Sequence, residues 1–152
     1  MRKRFWVCGI VVSIAAMLLD FLVHGLLLQG DYNALVSQGL MRSPEDAQHF
    51  MPYMAAAHLL IGYGLTWLYM HFNGAHANGA HADRVANDAS LSAGLRFGAA
   101  VAVMSTIPGY LIYYAVEPLP AMLVHKQMIF SSIAMLLLGL LLAWLNPGRK
   151  TL

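Results

Sequence analysis

The chain has 152 residues, of which 59% are apolar and 11% charged, and it carries a formal net charge of +2 with a mean hydropathy of +0.61. Soluble domains are about half apolar and about a quarter charged, so this composition excludes an ordinary soluble domain and is far too apolar for a disordered chain. The basic residues are few and sit mostly at the termini, which excludes a nucleic-acid partner; what remains is an integral membrane protein in contact with the lipid bilayer.

The first apolar segment runs from about 5 to 28. Arg2-Lys3-Arg4 and Ala15-Ala16 imitate a signal peptide. The apolar stretch exceeds the ~7–15 residues of a signal h-region and continues past Asp20 to Leu28, so it reads as a retained span. Cys8, the single cysteine, lies inside it and reads as a small packed hydrophobe. Ser43-Pro44-Glu45-Asp46 then signals a helix start, with a capping serine, a proline suited to the first position and acids in the first turn. A short surface helix is expected from Pro44 toward Phe50, with Pro52 turning the chain into a second apolar segment, about 52 to 72. A loop of about 73–90 follows, holding the repeat Gly74-Ala75-His76-Ala77-Asn78 and Gly79-Ala80-His81-Ala82-Asp83. Its small residues read as a flexible linker, with no rigid frame to align the two histidines on a metal.

The third apolar segment, about 95 to 116, is led by a stripe of small residues, Gly94, Gly98 and Ala102, at four-residue spacing. Such a stripe lets helix backbones approach closely. Pro108-Gly109 should kink this helix, and Pro118 and Pro120 end it in a short turn. The fourth segment runs from about 121 to 145. Each of the four is long enough to cross ~30 Å of hydrocarbon at ~1.5 Å per residue.

Arg2, Lys3, Arg4, Arg84, Arg96, Arg149 and Lys150 lie at the termini or beside the middle loop, against Arg42 and Lys126 in the other two connections. The positive-inside rule therefore puts both termini and the middle loop in the cytoplasm. Trp6, Trp67 and Trp144 fall at that interface, and Tyr53, Tyr110, Tyr113 and Tyr114 fall toward the opposite one as an aromatic belt. The expected fold is all-α: one domain over 1–152, an antiparallel four-helix transmembrane bundle with N-in/C-in topology.

Ionisable residues inside a membrane are costly and usually functional. Asp20 and His24 are four apart and share a helix face; His58 lies about two turns inside the second span; Glu117 ends the third; His125 begins the fourth. In the orientation above, all of them lie in the outer half or at its edge. Asp20, His24, His58, Glu117 and His125 are thus candidate metal ligands. Imidazoles with carboxylates suit copper, zinc, iron or nickel better than calcium or magnesium. His24 and His58, on different helices, are candidate axial ligands of a haem b. Asp20, one turn from His24, is alternatively the group that orients it. His49, Met51 and Met54 near the outer mouth would suit copper.

Each has an ordinary reading too. His24 and His125 can be solvated interfacial histidines, Glu117 a solvated acid, and an Asp20–histidine pair structural glue between helices. Asp20 and His58 resist this reading best, because they lie deepest. No phosphate loop, nucleophile elbow or HExxH pattern is present. Three functions remain. The first is a small membrane protein with a transition-metal or haem site. The second is an accessory or scaffold subunit, meeting a second copy or a larger complex through Gly94, Gly98 and Ala102. The third is an enzyme acting on a lipid or quinone, with His24 or His58 as base and Asp20 as orienter.

The runs Asp20-Phe21-Leu22-Val23-His24-Gly25, Pro108-Gly109-Tyr110 and Glu117-Pro118-Leu119-Pro120 resemble those of small, uncharacterised bacterial four-span membrane proteins. The resemblance implies a bacterial inner membrane and carries no activity with it.

Overall fold

The computed structural model describes residues 2–76 and 88–146, and all regular structure among them is helical. Helix α1 (Arg2–Asp20) passes into a π-helical turn (Phe21–Leu27) and then into α2 (Gln29–Ser37). The short α3 (Pro44–Gln48) precedes α4 (Met51–His76). Helix α5 (Asp88–Val101), a second π-helical turn (Ala102–Thr106) and α6 (Ile107–Val116) form one rod, and α7 (Ala121–Leu145) follows.

Three of these are both long and apolar enough to cross a membrane: Lys3–Leu27, Leu91–Val116 and Ala121–Leu145. They make the chain a multi-pass membrane protein in contact with lipid. Helix α4 is as long, at 26 residues, but is not one of the three. Pro52, Tyr53, His58, Tyr63, Tyr69 and His71 interrupt its apolar run. The repeat-bearing loop from Ala77 on, with Arg84, and the basic tail with Arg149 and Lys150 lie outside the described residues.

Local chemistry sets the boundaries. Ser43 Oγ accepts from the Asp46 N–H at 3.2 Å and Pro44 opens α3, as expected. Helix α2 was not foreseen, because the first apolar run ends at Leu28. It closes on Gly39, at φ 71°, the left-handed conformation glycine adopts without strain. Leu40 N–H then reaches Leu35 O and Gly39 N–H reaches Val36 O, both at 3.0 Å, which satisfies the end carbonyls. Leu35 is buried with Val23, Leu28 and Leu123, so α2 folds back onto the start of α7. Asp31 and Lys126, 2.9 Å apart, pair across the same contact. A π-helical turn stands just before Pro108. A proline ring crowds the carbonyl four residues back, and the wider turn falls over that carbonyl's residue, Met104.

Helix α1 packs on α4 and α7, and α5 packs on α7. Trp6 meets Tyr63 with ring centroids 5.5 Å apart, and Asp20 meets His58, so α1 and α4 run antiparallel. Arg4 Nη2 donates to Leu145 O at 2.7 Å, which brings the start of α1 to the end of α7. The main core gathers Val12, Ala16, Leu65, Tyr69, Leu138, Leu142 and Ala143.

The small-residue stripe is used inside the chain. Gly94 faces Gly139 and Ala143, and Gly98 faces Met135 and Leu136, all on α7. Ala102 is buried as well. Gly94 and Gly98 of that stripe therefore pack against α7 of the same chain.

Candidate functional site

Asp20 stands where α1 gives way to the π-helical turn, and His24 lies within that turn. His24 Nε2 is 3.6 Å from Asp20 Oδ1. His58, buried on α4, places its Nε2 3.6 Å from Asp20 Oδ2. One carboxylate thus stands between two imidazoles from two helices, with an oxygen turned to each.

The other ring nitrogens are hydrogen-bonded. His58 Nδ1 lies 2.7 Å from the Met54 carbonyl, which can only accept, so Nδ1 carries a hydrogen. Nε2 is left to face Asp20. At 3.6 Å the two groups stand within ion-pair reach and beyond a direct hydrogen bond. Tyr32 Oη accepts from Gln127 Nε2 at 2.8 Å and lies 2.5 Å from His24 Nδ1. The Tyr32 hydroxyl and His24 Nδ1 thus share one hydrogen bond, and His24 Nε2 faces Tyr110 Oη at 3.2 Å as well as Asp20. Tyr110 Oη in turn lies 3.1 Å from Ser131 Oγ. One hydrogen-bonded chain links Gln127, Tyr32, His24, Tyr110 and Ser131.

Tyr32 closes this chain at the α2 surface. Burial pushes its phenol up to about 12, against the opposing hydrogen bond from Gln127. An unfolded tyrosine ionises near ~10. Between those values the folded chain binds more protons than the unfolded one, so stability falls as pH rises through that window. A pH titration of phenolate absorbance should show a tyrosine ionising near 12, and Tyr32→Phe should remove it. Loss of no late-titrating group in that variant would show that Tyr32 is solvated.

The constellation drawn from the sequence is gathered only in part. Asp20, His24 and His58 meet. His125 is exposed, its Nδ1 2.7 Å from Ala121 O of its own helix. Glu117 is exposed beyond the end of α6. Neither lines the cavity beside Asp20. His49, Met51 and Met54 are exposed. Among the described residues, no set of three or more His, Cys, Asp and Glu side chains is placed to hold a metal ion. Tyr110, read from the sequence as part of an aromatic belt, is a member of the site. Gln127 and Ser131, polar residues one turn apart in an apolar helix, were the available sign of the α7 side.

The site opens on a cavity of about 650 Å³. Asp20, His24, His58, Ser105, Thr106, Tyr110, Tyr113 and Ser131 are its polar side chains, and Leu65, Leu68 and Leu138 are among its apolar walls. No lysine or arginine lines it among the described residues. Both π-helical turns contribute to its wall, in keeping with the frequency of such turns at functional sites. Protein-family models, curated proteins and solved structures offer no match to this chain.

Proposed function

We propose that the chain is a four-span membrane protein carrying an intramembrane acid–base site, in which Asp20 and His58 exchange a proton with a molecule held in the cavity and His24 orients Asp20. The supporting observation is the single carboxylate between two imidazoles at the wall of an apolar cavity. General acid–base work needs a group that gives a proton and one that takes it within reach of the same atom, and Asp20 with His58 offers both. The reading is that of an enzyme acting on a lipid-soluble substrate.

Helix α4 serves as the fourth span in this reading. It lies antiparallel on α1, and its one deep histidine is buried rather than turned to lipid. Trp6, Trp67 and Trp144 are all exposed and lie toward the end where Arg4 meets Leu145. That supports an N-in/C-in bundle with the site in its outer half. The resemblance of the short motifs supports a bacterial inner membrane as its home.

Infrared difference spectroscopy of the protein in lipid nanodiscs tests the site. The carboxyl signal lost in Asp20→Asn should shift in His58→Gln, because the two side chains stand within ion-pair reach. An Asp20 signal indifferent to His58 would overturn the pairing. The same sample answers the metal reading, which asks His24 to release Tyr32 or Tyr110. A stoichiometric metal by elemental analysis, lost in His58→Ala, would assign the site to metal chemistry instead.

A further inference from the structure

Helix α4 and the third span touch at one end, where the Tyr69 and Phe97 rings meet edge to face at 5.2 Å. From there toward His58 and Tyr110, the cavity lies between them. Residues beside the seam face outward: Leu60 on α4 is 76% exposed and Met104 on the third span 80% exposed. Both walls carry a glycine, Gly64 and Gly109, and an added Cβ at either meets nothing within 4 Å. In a bilayer such a seam faces acyl chains, not water.

The geometry points to this seam as a lateral doorway through which a lipid-soluble molecule with an uncharged hydroxyl head reaches Asp20 and His58 from the bilayer. The inference rests on the acid–base reading of those two residues and adds the route and the class of ligand. A hydroxyl gives one hydrogen bond and takes another, which matches a wall of carboxylate, imidazole and hydroxyl side chains. A phosphate head would meet a carboxylate with no lysine or arginine in the lining to offset it. The volume, about 650 Å³, lies within the ~300–1,000 Å³ of pockets that enclose drug-sized ligands. A phenolic quinol and a long-chain alcohol share this chemistry.

The test uses the full chain in lipid nanodiscs and a photoreactive diazirine analogue of a long-chain alkylphenol. Adducts should map to 58–68 of α4 and 101–113 of the third span. Decyl benzoquinol or decanol should displace the probe, and decyl phosphate should not. The stronger competitor of the first two identifies the source of the hydroxyl. Gly64→Leu and, on the facing wall, Gly109→Leu should each cut labelling at least tenfold, with helical circular dichroism and melting unchanged. Gly64→Leu fills open space and improves helix propensity, so a fall in labelling reads as a blocked seam. Undiminished labelling in both filled variants overturns the doorway while leaving the infrared pairing of Asp20 and His58 intact. Displacement by decyl phosphate alone overturns the ligand class. Labelling that behaves as expected without that infrared pairing sinks the acid–base reading and keeps the doorway.

Discussion

Gly98→Leu should pull α5 away from α7 and cost at least about 3 kcal/mol, the upper end of the usual range for an overpacked core. A Cβ on Gly98 would land 2.5 Å from Met135 O and 2.8 Å from Leu136 Cα. Those are backbone atoms and cannot rotate aside. The helices must part, and Phe97, Val101, Leu138 and Leu142 lose packing with them. Inside a membrane no hydrophobic effect draws helices back together, so close van der Waals contact carries the seam. Chemical denaturation in detergent, followed by circular dichroism, reads the cost. A scaffold in which Gly98 served a partner would behave differently: stability would hold and assembly size would fall. Gly64→Leu is the internal control, a leucine added at a glycine with open space around it.

That contrast marks what sequence pattern conveys and what it does not. Spacing identifies Gly94, Gly98 and Ala102 as a close-packing face, and the structure packs Gly94 and Gly98 against α7 of the same chain. Which helix fills such a face depends on rotation and register, and those follow from side-chain fit across all the helices at once. The same limit governs the site. Asp20 and His24 share a face because four residues make about one turn, and they do meet. His58 joins them because α4 lies antiparallel on α1 with that face inward. His125 lies near the start of α7 and is exposed, and its ring bonds its own helix.

Backbone irregularity was the other unreadable feature. Pro108 announces a kink, yet the π-helical turn before it and the one holding His24 insert an extra residue per turn. Each rotates everything downstream, so a strict helical wheel misplaces Tyr110. Helix α2 was missed for a related reason. Its sequence, with Gly30 and Asn33, has little helical pattern of its own. It is held by Leu35, by Asp31 with Lys126 and by Tyr32 with Gln127, contacts to α7 about ninety-five residues away in sequence.

Asp20→Asn should leave the bundle folded and silence the site, and Asp20→Leu should do neither cleanly. An asparagine amide matches the two imidazoles without a mobile proton. Its oxygen accepts from His24 Nε2–H, and its NH2 donates to His58 Nε2, with both rings neutral. Stability should stay within about 1 kcal/mol of the parent, the scale of one net hydrogen bond. Acid–base chemistry at the site should fall by roughly 10²- to 10⁴-fold, the usual contribution of a positioned proton-transfer group. Before any substrate is known, the readout is the order of stability of the variants. Leucine removes the partner of both rings, leaving His58 Nε2 buried and unmatched, at about 1–3 kcal/mol for an unsatisfied group. The ordering is therefore aspartate and asparagine together, leucine below. Equal stability of the asparagine and leucine variants would mean that solvent, not Asp20, satisfies the two histidines, and the acid–base site would fall with it.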